Sequence, residues 1–90
     1  MRHRTPKVRS LRIHAKRRLS ERYGIAVDRV GLAEIVILIQ AGKSRFVERQ
    51  SNRVTVWDVP FRGQVVRVVY DTMRHAVVTA LPVAAQEVLA

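Results

Sequence analysis

The chain has 90 residues, enough for one small domain that buries only about 60–65% of the surface its unfolded form exposes. It has no cysteine, which excludes a disulfide framework, a thiolate zinc site and a thiol nucleophile. With 48% hydrophobic and 27% charged residues the composition is globular, yet 17 Lys and Arg against 7 Asp and Glu leave a net charge of +10.

The excess charge is concentrated at one end. Nine basic residues (Arg2, Arg4, Lys7, Arg9, Arg12, Lys16, Arg17, Arg18, Arg22) share residues 1–23 with one acid, Glu21. A basic pole on a nearly neutral body points to a polyanionic partner, with nucleic acid ahead of a membrane surface. The longest apolar run, Ile35 to Ile39, is far short of the roughly 20 residues a membrane-spanning helix needs, so no membrane role is expected. The N-terminus lacks the apolar stretch of a secretory signal. Its Arg-rich, acid-poor character is shared with mitochondrial presequences, but the basic segment runs into a helix that so small a domain can hardly spare. A cytoplasmic protein is the expectation.

Residues 1–9 read as a basic arm without periodicity, broken at Thr5–Pro6. Ser10 is placed to cap a helix over residues 11–23, in which Leu11, Ala15 and Leu19 recur at every fourth position and Tyr23 follows. Gly24 suits the left-handed position that ends a helix. Asp28 is the next candidate cap, before a second helix from Arg29 to Ala41. Its apolar residues Leu32, Ile35, Val36, Leu38 and Ile39 cover more than one stripe, so it should be the more deeply buried helix. Gly42 ends it.

From Arg45 the apolar period becomes two. Strands are expected over residues 45–50, 53–59, 64–71 and 75–81, separated by Ser51–Asn52, Pro60–Gly63 and Asp71–Arg74. Connections this short require antiparallel hairpins. The expected fold is α+β: two N-terminal helices packed on a four-stranded antiparallel meander, forming a single domain over residues 10–82 with a C-terminal tail at 83–90. Strict alternation places Val65, Arg67 and Val69 on one face of the third strand and Val66, Val68 and Tyr70 on the other. In the fourth strand it sets Ala76, Val78 and Ala80 against Val77, Thr79 and Leu81. Both sheet faces are then apolar while two helices cover one. The tail, a second copy forming a homodimer, or another protein is expected on the second face.

Histidine and arginine carry the candidate chemistry. His14, Arg18 and Arg22 recur at every fourth position beside the apolar stripe of the first helix. An imidazole can shuttle a proton near neutral pH, and arginines can hold a scissile phosphate and its developing charge. That combination is what metal-independent RNA cleavage needs. The plainer reading is a solvated helix surface. His75 invites a two-histidine scheme but follows a turn, where histidines are usually exposed, and His3 lies in the arm. Arg67, Tyr70 and Thr79 are the polar residues within the apolar strands. Arg67 could clamp a phosphate and a hydroxyl could orient a ribose, whereas Tyr70 and the lone Trp57 read equally as core. No metal site or cofactor is expected, since the three histidines have no close acidic cluster, and there is no phosphate-cradling glycine loop.

The run from His14 to Ile25 (HAKRRLSERYGI), with Arg67 to Asp71 (RVVYD) and Val77 to Pro82 (VVTALP), resembles the barnase–EndoU–colicin–RelE group of metal-independent endoribonucleases and toxins. The resemblance spans roughly residues 10–82. It implies N-terminal helices on an antiparallel sheet and an active site containing His14, an arginine one turn later (Arg18, with Arg17 the competitor) and Thr79. With Arg67 added as a phosphate clamp, RNA would be cleaved by 2′-OH attack to a 2′,3′-cyclic phosphate, the general acid being unassigned. Arg9, Arg12, Lys16, Arg17 and Arg22 would hold the RNA backbone. Such a protein would act in a bacterium or a phage-infected host, with an antitoxin, host or phage protein as a further partner. The alternative is a catalytically inactive member of the group that binds nucleic acid or a protein.

Overall fold

The computed structural model describes residues 7–82. The two helices are α1 (Lys7–Tyr23) and α2 (Arg29–Gln40); the strands are β1 (Arg45–Arg49), β2 (Val54–Phe61), β3 (Gln64–Asp71) and β4 (Ala76–Leu81). The strands pair antiparallel in the order β1-β2-β3-β4. The fold is therefore α+β, two helices followed by a four-stranded antiparallel sheet.

Helix α1 begins at Lys7, earlier than the Ser10 cap expected from sequence, so Ser10 lies inside it and residues 7–9 of the expected arm are helical. Lysine and arginine are good helix formers, and the run Lys7 to Arg12 carries the helix through one serine at small cost. Of the arm expected at residues 1–9, residues 1–6 lie outside the described residues, as does the tail at 83–90. Gly24 ends α1 with φ 67°. Asp28 caps α2, its carboxylate accepting the Gly31 N–H at 2.8 Å. The C-terminal end of α2 closes by a Schellman motif: Gly42 N–H donates to Ile39 O and Lys43 N–H to Leu38 O.

Both helices lie on one face of the sheet. Ala15 and Leu19 of α1 and Leu32, Ile35 and Ile39 of α2 pack on Val59, Phe61, Val66, Val68, Tyr70, Val77 and Ala80. Burial of these side chains is the main favourable term in the fold, at roughly 1.5–3 kcal/mol for each large aliphatic. Tyr70 belongs to this core, and its hydroxyl accepts a hydrogen bond from Gln40 Nε2 at 3.1 Å. Trp57 flanks it, edge-on to Phe46 and donating to Thr55 Oγ1 at 2.9 Å.

The sheet departs from strict alternation at two bulges, one in each edge pairing. In the β3–β4 pairing Val69 opposes Thr79 while Tyr70 opposes Val77, leaving Val78 as the extra residue. This corrects the expected faces of β4. Val77 and Ala80 face the helices, whereas Ala76, Thr79 and Leu81 share the opposite face with Asp71, Val69 and Arg67. The β2–β3 hairpin is also tighter than expected. Pro60 and Phe61 belong to β2, and the turn consists of Arg62 and Gly63 alone, with φ 49° and 86°. Two successive positive φ values define the type I′ hairpin turn, which matches the twist of the strands. Pro60 is tolerated because β1 begins at Arg45, opposite Asp58, so β1 does not reach Pro60 to call on a donor there.

Candidate nucleic-acid interface

The charged residues of α1 divide into two flanks. At about 100° per residue, Ala15 and Leu19 point into the core, Arg12 and Lys16 lie to one side of them, and His14 and Arg18 lie to the other. Arg12 and Lys16 meet α2. His14 and Arg18 look away from it, with His14 exposed and Arg18 bonded to Glu21 Oε1 at 2.8 Å. Arg17 and Arg22 are exposed elsewhere on α1, and the side chain of Arg9 lies outside those described.

Arg67 and Thr79 occupy the sheet face opposite the helices. The four residues expected to form one catalytic group are thus divided between two surfaces: His14 and Arg18 on the helical layer, Arg67 and Thr79 behind the sheet. Arg67 is already committed. Its Nε donates to Asp58 Oδ1 at 2.7 Å and its Nη2 to Asp58 Oδ2 at 2.8 Å, in a bidentate pair with both side chains about 95% buried. Arg45 Nη2 adds a third contact to the same carboxylate at 2.8 Å. The Arg67 hydrogen bonds hold the Asp58 carboxyl below its ordinary pKa, against the opposing effect of burial. The Tyr23 hydroxyl at the end of α1 accepts from Arg67 N–H at 2.9 Å and donates to Leu81 O, locking that helix terminus to β3 and β4.

A second such cluster surrounds Asp71. Burial works to raise its pKa but is outweighed by the backbone N–H of Arg74, the guanidinium groups of Arg53 and Arg74, and the N–H of Met73, so the carboxyl titrates well below the usual range. These bonds fold the β3–β4 turn and place Arg74 and His75 at one end of the helical layer. His75 takes φ 52° and belongs to the turn, not to β4 as expected from sequence.

Between α1, α2 and this turn lies an open recess of about 390 Å³, bordered by Arg12, Arg29, Arg74 and His75 over Leu32, Val36 and Val77. A second recess of about 440 Å³ adjoins it, sharing Arg12 and Arg29 and adding Ile13 and Lys16. No carboxylate among the described residues lines either one. Among the described residues Arg12, Lys16 and Arg29 make no ion pair, while Arg74 is held by Asp71. Arg12 and Lys16 were named from the sequence as candidate backbone contacts. Arg29 was not, although one signal exists: it is the first residue of α2, where a cation opposes the helix dipole.

No family model, curated protein or solved structure matches this chain. No helix among the described residues is long and apolar enough to cross a membrane.

Proposed function

We propose that the protein binds nucleic acid, with RNA the expected form, in the cationic recesses between α1, α2 and the β3–β4 turn. The observation that carries this reading is the convergence of Arg12, Lys16 and Arg29 from two helices, with no carboxylate among the described residues that line the recess. Cations gathered in this way repel one another, and a polyanion relieves the repulsion while releasing its own counterions. Arginine and lysine also reach phosphate oxygens in the geometry that positions a strand. The test is fluorescence anisotropy of a labelled RNA across a salt series. Log affinity should fall steeply with log salt, and Arg12→Gln and Arg29→Gln should each reduce the slope by about 1. Binding that is unchanged in both variants overturns the proposal.

Metal-independent cleavage is the second reading, and one observation favours a revised form of it. His75 borders the same recess as Arg12, Arg29 and Arg74, whereas His14 has only the exposed flank of α1. In this form His75 takes the 2′-OH proton, the 2′-oxygen attacks phosphorus as the bond to the 5′-oxygen breaks, and water protonates that leaving oxygen. The arginines hold the phosphate, and the products are a 2′,3′-cyclic end and a 5′-OH. RNA incubated with the protein in EDTA distinguishes the two readings. Cleavage abolished by His75→Ala but retained by His14→Ala supports it, and intact RNA refutes it.

A further inference from the structure

The two adjoining recesses differ in chemistry, and the difference bears on what form of nucleic acid they accept. The Arg12–Lys16–Arg29 recess is cationic with one aliphatic neighbour, Ile13. The recess beside it has an aliphatic floor, formed by α2 (Leu32, Val36, Ile37) and β4 (Val77), beneath a cationic rim. Ile37 is 61% exposed, an apolar surface beside Leu32 and Val36 at this recess. A site built only to hold backbone phosphates has no use for such a floor. Duplex nucleic acid cannot use it either, because its bases are stacked inside and present polar edges.

We infer that the recess between α2 and the β3–β4 turn accepts an unpaired base of a single strand, while the adjoining cationic recess holds the flanking phosphates. The inference rests on the nucleic-acid reading above and specifies its ligand. A volume of about 390 Å³ lies in the range of small-molecule sites, roughly 300–1,000 Å³. Guanidinium groups at its rim can pair with phosphate and lie against the flat face of a base. Arg12 and Arg29 border both recesses, which places a phosphate contact immediately beside the base. An acidic amphipathic peptide would also meet apolar and cationic groups. It needs, however, a long groove to seat successive helical turns, and this recess is bordered at one end by the β3–β4 turn.

Four probes of matched charge separate the possibilities at one salt concentration: a single-stranded RNA, a hairpin duplex with the same number of phosphates, the single strand with abasic sites, and an acidic peptide with interspersed leucines. The single strand should bind about tenfold more tightly than the duplex or the abasic strand. Ile37→Ser, a surface change expected to leave folding intact, should narrow that gap while leaving the abasic strand's affinity unchanged. Equal, salt-sensitive affinity for the three nucleic acids overturns the base site but leaves nucleic-acid binding standing. No binding to any of them overturns both, and preference for the peptide replaces the ligand class. The wild-type comparison with the abasic strand needs no variant, so a misfolded Ile37→Ser protein would not shield the inference.

Discussion

Removing Arg67 tests whether it supports the fold or serves the ligand. Its guanidinium and the Asp58 carboxylate are 5% and 6% exposed, joined by two bonds of 2.7 and 2.8 Å. Arg67→Met leaves a buried carboxylate whose remaining ion-pair partner, Arg45, has a side chain 68% exposed. Breaking one side of such a pair costs about 3–5 kcal/mol, because the other charge stays buried. Against the roughly 5–15 kcal/mol that stabilises a typical domain, this is a large loss. Urea unfolding should show it directly, and thermal unfolding should shift down by about 15 °C or more. The double variant Arg67→Met/Asp58→Leu removes both charges and should recover to within about 1–2 kcal/mol of the parent. Where Arg67→Met remains folded, RNA affinity should be unchanged, since Arg67 lies on the opposite side of the sheet from the cationic recesses. A loss below about 1 kcal/mol, or RNA binding abolished in a folded variant, refutes this assignment and returns Arg67 to the phosphate-clamp role.

Tyr23→Phe removes the hydroxyl between Arg67 N–H and Leu81 O; it should cost about 1–3 kcal/mol by unpairing buried backbone groups, measured by the same urea titration, and leave RNA binding intact. Stability should also fall on the acid side. Asp58 and Asp71 have lower pKa values folded than unfolded, so their contribution is fully present above about pH 4 and is lost as pH falls below it. Asp71→Asn should flatten that decline in a pH series of unfolding midpoints, and an unaltered acid limb would show that the Asp71 cluster contributes nothing to it.

The order and type of the elements were legible because the relevant signals are local. Asp28 and Gly42 bracket α2, and the change to a two-residue period at Arg45 marks the sheet. The face assignments of β4 were not legible, because the bulge at Val78 arises from pairing with β3 and leaves no mark in an alternation of Val, Thr and Ala. The same bulge places Thr79 behind the sheet. Arg67 was misjudged for a related reason: its partner Asp58 is nine residues away and meets it only across the β2–β3 register. On α1 the four-residue spacing of His14 and Arg18 was read correctly as one flank, but which flank meets α2 is a tertiary fact. That fact makes Arg12 and Lys16, rather than His14 and Arg18, the residues beside the recess.

The central claim is that Arg12, Lys16 and Arg29 together hold phosphate, and the most direct measurement is the salt slope of RNA binding for a protein lacking all three charges. The triple Gln variant should fold normally, because none of the three makes an ion pair among the described residues, and its log–log salt slope should be about 2–3 smaller than the parent's. A parent and a triple variant with the same slope would contradict the account and place the polyanion elsewhere on the basic pole.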